Sequence, residues 1–164
     1  MSRILKNYNN KITQKYRKGT HEGIDLISSI SSTDYVIAHS DGLVVGLENN
    51  YNKTDKMGNS YGNYVKIKHD NGMYTLYAHL KYHSIPVKLN SRVFKGEVIG
   101  YMDNTGYSMG EHLHFEVRDK FNKRINPETY LNNDLISDLT SNNNLDNIVG
   151  EVINGLWGNG SIRK

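Results

Sequence analysis

Residues 62–79, GNYVKIKHDNGMYTLYAH, constrain the fold more than any other stretch of the chain. Residues 62–69 alternate polar and apolar, Asp70-Asn71-Gly72 has tight-turn chemistry, and residues 73–79 return. Side chains two apart share a face of a strand, so this pattern predicts an antiparallel hairpin with one buried face. Short apolar runs of the same kind recur at 11–16, 34–39, 43–47, 98–102 and 111–118. Asp41-Gly42, between the second and third of these, predicts another hairpin. No run before residue 130 has a convincing helical period. The fold class read from these signals is mainly β: an antiparallel sheet with one packed face and a groove on the other.

The 164 residues suit one domain with an appendage. A chain of this length buries roughly 70% of its unfolded surface, so its core needs no staples. The composition shifts after residue 131. One folded domain is expected at 1–131, an Asn/Ser/Asp-rich linker at 132–144 and a helical tail at 145–164. In that tail Ile148, Val149, Val152 and Ile153 fall at helical spacing, with Trp157 one turn on.

The chain has no cysteine, so any metal ligand must be His, Asp or Glu. Lysine plus arginine number 20 against 17 acids, a net charge of +3. The cations are scattered except near the start, and no basic stripe interleaves with stacking aromatics, which argues against a nucleic-acid partner. Mild basicity reads first as a device for solubility; the sharper reading is attraction to an anionic polymer such as a bacterial cell wall. Residues 1–20 contain no apolar run and no stretch reaches 18 apolar residues, so neither a signal peptide nor a membrane span is expected. Nothing in the sequence sets an oligomeric state.

The chemistry concentrates in the histidines. On a strand over 111–118, His112 and His114 share a face. His21 and Asp25 stand four apart upstream. Two imidazoles and one carboxylate are the ligand set of a catalytic zinc site, which keeps a fourth position open. A chain that supplies such a set with histidines to spare reads as a zinc hydrolase. His79, at the end of the second hairpin strand, is well placed for a cleft. His39, His69 and His83 read as ordinary core or surface residues. There is no H-E-x-x-H helix and no cysteine-based deaminase site. Residues 106–110 (GYSMG) fit G-x-S-x-G by letter but lead into a strand, not from a strand into a helix, so a serine nucleophile is discounted.

The stretches HEGIDL (21–26), DGLVVG (41–46), GNYVKIKHDNGMYTLYAHL (62–80), KGEVIGYMDNTGYSMGEHLHFEVR (95–118) and INPETYL (125–131) together resemble the lysostaphin-type zinc endopeptidases, in order and in spacing. That family cuts the peptide part of bacterial peptidoglycan. The resemblance implies His21, Asp25 and His114 as zinc ligands, with His112 and His79 as the unliganded pair that acts on the water and the oxyanion. Tyr16 lies upstream of His21, where some relatives place a transition-state tyrosine. Asn63, near the head of its matching stretch, is the other candidate for substrate contact. Loops 49–60 and 81–92 are expected to decide which bond is cut.

Residues 151–164 (EVINGLWGNGSIRK) are similar to the opening of a short helical wall-binding repeat of phage and bacterial lysins. The expectation is therefore a phage endolysin or tail-associated lysin, made without a signal peptide and reaching the wall at phage lysis or in the virion. The competing readings are a catalytically inactive relative that binds peptidoglycan or activates an amidase, and a structural phage tail component. Inactive relatives typically lack a ligand; this chain keeps all three, together with both partner histidines.

Overall fold

The computed structural model describes residues 4–5, 11–28, 34–54 and 61–131. The linker at 132–144, the helical tail at 145–164 and residues 55–60 of the polar loop lie outside them. The described residues form ten strands: β1 (Lys11–Gln14), β2 (Ile24–Ile27), β3 (Tyr35–Ile37), β4 (Gly42–Glu48), β5 (Asn63–His69), β6 (Tyr74–Leu80), β7 (Arg92–Val93), β8 (Val98–Tyr101), β9 (Leu113–Arg118) and β10 (Arg124–Ile125). Eight form one sheet in the order β1-β2-β9-β6-β5-β4-β7, with β10 also paired to β9. β3 and β8 form a separate pair. Every pairing is antiparallel.

The hairpin at 62–79 forms as its alternation requires, with Val65 opposite Tyr77 and Ile67 opposite Thr75. Strand alternation then divides the large sheet into two chemistries. Ile24, Leu26, Val65, Ile67, Tyr77, Leu113, Phe115 and Val117 point to one face and are buried. Val36, Ile99 and Met102 of the β3–β8 layer join the same core cluster. The opposite face of β2 and β9 carries Asp25, His114 and Glu116, and cross-strand pairing sets Asp25 beside His114.

The hairpin expected from Asp41-Gly42 does not form. β3 pairs with β8, while β4 pairs with β5 and β7. Gly42 serves close approach here: a Cβ on it would lie 2.5 Å from the Lys68 carbonyl oxygen and 2.6 Å from Ile67 Cγ2. The Asp41 side chain caps a different segment, accepting from the Lys95 amide at 2.7 Å. The late strand starts at Leu113 rather than at 111, and His112 forms an isolated bridge with Asp103. The one helical turn among the described residues, at 127–131, begins with Pro127 behind Asn126, whose side chain accepts from the Glu128 amide at 3.0 Å.

Asn63 pins three segments together. Its Oδ1 accepts from the Tyr51 amide at 2.8 Å, and its Nδ2 donates to the carbonyls of Tyr51 at 2.7 Å and Leu80 at 3.0 Å. The residue is fully buried. Removing the amide strands these buried backbone groups at a cost of about 1–3 kcal/mol each. Asn63→Ala should therefore lower unfolding free energy by roughly 2–4 kcal/mol in a urea titration; a change within experimental error would contradict this role.

Candidate active site

Two short elements and one irregularity place the site. β2 and β9 are neighbours, and their pairing sets Asp25 opposite His114. His21, just before β2, bridges back to Arg17 and brings its ring over the same point. His21 Nε2 lies 3.1 Å and His114 Nδ1 lies 2.9 Å from Asp25 Oδ1. One donor atom from each of the three residues lies within 4.8 Å of those from the other two.

The tautomers, assigned from hydrogen-bond partners, show what this cluster is built for. His21 Nδ1 donates to the Lys15 carbonyl at 3.1 Å, so its Nε2 carries the lone pair. His114 Nε2 faces Glu116 Oε1 at 3.4 Å, so its Nδ1 carries the lone pair. Both lone pairs then point at a carboxylate oxygen. Three acceptors converging in a half-buried place repel one another unless a cation stands among them. When no ion is there, protonated rings take its place: burial pushes the Asp25 carboxyl up, but a hydrogen bond from protonated His114 and the charges of protonated His112, His114 and His21 outweigh it and hold the group below its usual range. Burial pushes His114 down, and its contacts with Asp25 and Glu116 reverse this and leave it raised. An N₂O donor set of this kind fits a divalent ion such as zinc.

His79 reaches the cleft through a β-bulge. Alternation after Tyr77 would send it to the core side. The β5–β6 register instead skips it, running from Tyr64↔Ala78 to Asn63↔Leu80. Its φ of 62° is a left-handed conformation uncommon for a side-chain-bearing residue. The bulge re-aims the ring onto the site face, 4.7 Å between centroids from His112. His79 Nδ1 donates to the Thr105 carbonyl at 2.7 Å, which leaves the Nε2 lone pair for the cleft. Thr105 is itself fixed, its hydroxyl donating to the Leu80 carbonyl at 2.6 Å and accepting from the Asn63 amide at 3.0 Å. Burial, reinforced by His112 and His114, pushes His79 down to about 3. His112 Nδ1 donates to the Gly110 carbonyl at 2.8 Å, and its Nε2 stands 3.7 Å from Asp25 Oδ1.

The five histidine and aspartate candidates thus meet in one open cleft of about 610 Å³. Tyr16 and Asn63 do not line it. Tyr16 packs against the hydrophobic core, and the Asn63 amide is spent on backbone groups. Among the described residues, loops 49–54 and 81–92 do not line the cleft either; Asn49 ties them to each other through Ile85. The walls come from residues 19–22 and 107–111. Tyr107 and Met109 stand exposed on the second wall. Ser108 Oγ donates to the Gly110 carbonyl at 2.6 Å, a contact within its own turn.

His39 and His69, which the sequence left open between core and surface, belong to the interior; His69 is hydrogen-bonded to the Asp41 carbonyl and the Thr75 hydroxyl, both at 2.8 Å. His83 is an exposed loop residue stacked on Tyr82. Sequence reasoning passed over Glu116, Tyr61, Arg118 and Arg124, which interlock beneath His114. Glu116 was open to discovery, since it lies two residues beyond His114 on the same strand.

Residues 19–127 match Peptidase family M23. The chain belongs to that family. It is 42% identical over 98 residues to DD-carboxypeptidase/endopeptidase Mpg of Neisseria meningitidis serogroup B, covering 60% of this chain and 20% of Mpg. It is 35% identical over 114 residues to the murein hydrolase activator NlpD of Escherichia coli, covering 70% of this chain and 27% of NlpD. The matched region therefore spans about a fifth to just over a quarter of the length of these curated relatives. Among solved structures it is similar to the antimicrobial peptidase lysostaphin from Staphylococcus simulans, with a TM-score of 0.59 and 25% identity over 78% of this M23 chain and 50% of lysostaphin.

The neutral, buried His79 makes a prediction about pH. Its folded-state pKa lies below the ordinary histidine value, so the unfolded chain binds the extra proton first as pH falls. The stabilising effect is complete above about pH 6.5 and is lost toward about pH 3. Between pH 6.5 and pH 5 the metal-free protein should lose roughly 2 kcal/mol more stability than His79→Gln, as read by urea titrations at each pH. Parallel profiles for the two proteins would show that His79 is not held neutral by burial.

Proposed function

We propose that this M23 chain is a zinc-dependent endopeptidase that hydrolyses peptide bonds of bacterial peptidoglycan. The observation that carries the reading is the convergence of His21 Nε2 and His114 Nδ1 on Asp25 Oδ1, with the unliganded pair His79 and His112 alongside. His21, Asp25 and His114 would hold the ion. Bound there, zinc supplies Lewis acidity, activating water at neutral pH and polarising the scissile carbonyl.

The chain's own residues supply the proton chemistry. His79 and His112 each commit Nδ1–H to a backbone carbonyl and keep an Nε2 lone pair. Either ring can therefore accept the proton of the attacking water. Once protonated, the ring becomes an N–H donor to the developing oxyanion and then to the leaving amine. Burial keeps His79 unprotonated across the physiological range, so it enters each turnover as an acceptor. The open cleft admits an extended peptide, and exposed Tyr107 and Met109 offer apolar contact on one wall. The lysin assignment, in a phage, is supported by the likeness of residues 151–164 to a wall-binding repeat.

A second reading has a specific support: the similarity to NlpD, whose name describes an activator of murein hydrolases. The complete set of ligands and partner histidines favours the enzyme. Purified protein should clear a suspension of bacterial walls and release muropeptides with newly cut cross-links, read by mass spectrometry. His114→Ala should abolish both zinc uptake and clearing. His79→Gln and His112→Gln should retain zinc while losing on the order of 10²–10³ in rate. Zinc-loaded wild-type protein that releases no peptide fragments from walls of several cross-bridge types would favour the activator reading.

A further inference from the structure

Glu116 is a buried carboxylate directly behind His114. It is 2% exposed, on the strand that carries His114, and its side chain faces the same way. A buried carboxylate is tolerated only when its oxygens are paired. Here both are. Oε1 accepts from the Tyr61 hydroxyl at 2.6 Å and from Arg124 Nε at 3.0 Å. Oε2 accepts from Arg118 Nε at 2.9 Å, with Arg118 Nη2 at 2.7 Å. The Tyr61 oxygen in turn accepts from Arg124 Nη2 at 2.6 Å and Arg118 Nη2 at 3.0 Å. The remaining direction from Oε1 leads to His114 Nε2 at 3.4 Å.

We propose that Glu116 is a positioning residue for the metal centre: it accepts the Nε2–H of His114, fixes Nδ1 as the ligand nitrogen, and is held in place by Tyr61, Arg118 and Arg124. The inference rests on the metal-site reading above. A ligand histidine whose far nitrogen faced water could exchange tautomers and swing about its χ2. One tied to an ionised carboxylate cannot, and its ligand nitrogen becomes more basic. The two guanidinium groups have a definite part in this. Arg118 and Arg124 donate to the two carboxylate oxygens over 2.7 to 3.0 Å and so hold Glu116 in the rotamer that faces His114 Nε2. With its oxygens already receiving these N–H and O–H donors, Glu116 meets His114 as an acceptor. Tyr61 lines the cleft but has its hydroxyl saturated, so it serves the carboxylate rather than the substrate.

The test compares wild type, Glu116→Gln and Tyr61→Phe as purified full-length chains. Zinc affinity is measured by competition with a chromophoric chelator, the visible spectrum is recorded with Co²⁺ in place of zinc, and thermal melts are taken without metal. Glu116→Gln should weaken zinc binding by about 10- to 100-fold and change the Co²⁺ spectrum. Tyr61→Phe should shift both in the same direction by less. Zinc affinity and Co²⁺ spectra matching wild type in both variants, with only the metal-free melting temperature lowered, would overturn the proposal and leave the network a purely structural one. If Glu116→Gln does not fold, Tyr61→Phe decides alone, and a wild-type affinity in it overturns the proposal. A wild-type chain that takes up no zinc would instead sink the metal-centre reading, and this inference with it.

Discussion

One carboxylate oxygen organises the functional half of this protein. Asp25 Oδ1 lies within 3.1 Å of two imidazole nitrogens and 3.7 Å of a third, contributed by His21, His114 and His112. Like lone pairs do not gather at such distances without a positive charge among them. The surrounding fold is arranged to keep them there. β2 and β9 are hydrogen-bonded neighbours, the His21 and His114 rings are tied at their far nitrogens, and the sheet's other face is locked into an apolar core by Ile24, Leu26, Leu113 and Phe115. The site face inherits the rigidity of that core, which a metal centre needs more than a surface loop could supply.

The two sides of the cleft are built by different physics. The side that bears Asp25 depends on regular β-structure, where alternation alone brings Asp25, His114 and Glu116 to one surface. The side that bears His79 depends on an exception to it. A bulge and a left-handed backbone turn this residue out of the strand's parity, and the Thr105 carbonyl catches its Nδ1–H. Gly62 and Gly106 make that catch possible. A Cβ on Gly106 would lie 2.2 Å from the Gly62 nitrogen, so two segments meet there with no room for a side chain. Strain and close approach sit next to the chemistry, as is common where geometry is set for function rather than for stability.

The legible part of the sequence was the part governed by period. The hairpin at 62–79, the pairing of His112 with His114 on one side, and the dominance of β-structure all follow from alternation and turn chemistry. The convergence of His21 and Asp25 with residues about 90 positions later did not follow from spacing alone; the resemblance across residues 20–131 supplied it. What escaped was set by long-range contact. Asp41-Gly42 looks like a turn, yet Gly42 is there because β5 passes too close for a side chain. Asn63 looks like a polar residue at a groove, yet its amide is consumed by Tyr51 and Leu80. Arg118 and Arg124 look like solvated charges, and only the fold closes them around Glu116.

The central claim is that His21, Asp25 and His114 form a cage for one divalent ion, and anomalous diffraction at the zinc absorption edge tests it most directly. Crystals grown with zinc should show a single strong anomalous peak about 2 Å from each of His21 Nε2, Asp25 Oδ1 and His114 Nδ1. A map without a peak there, or with zinc only at scattered surface histidines such as His83, would contradict the account.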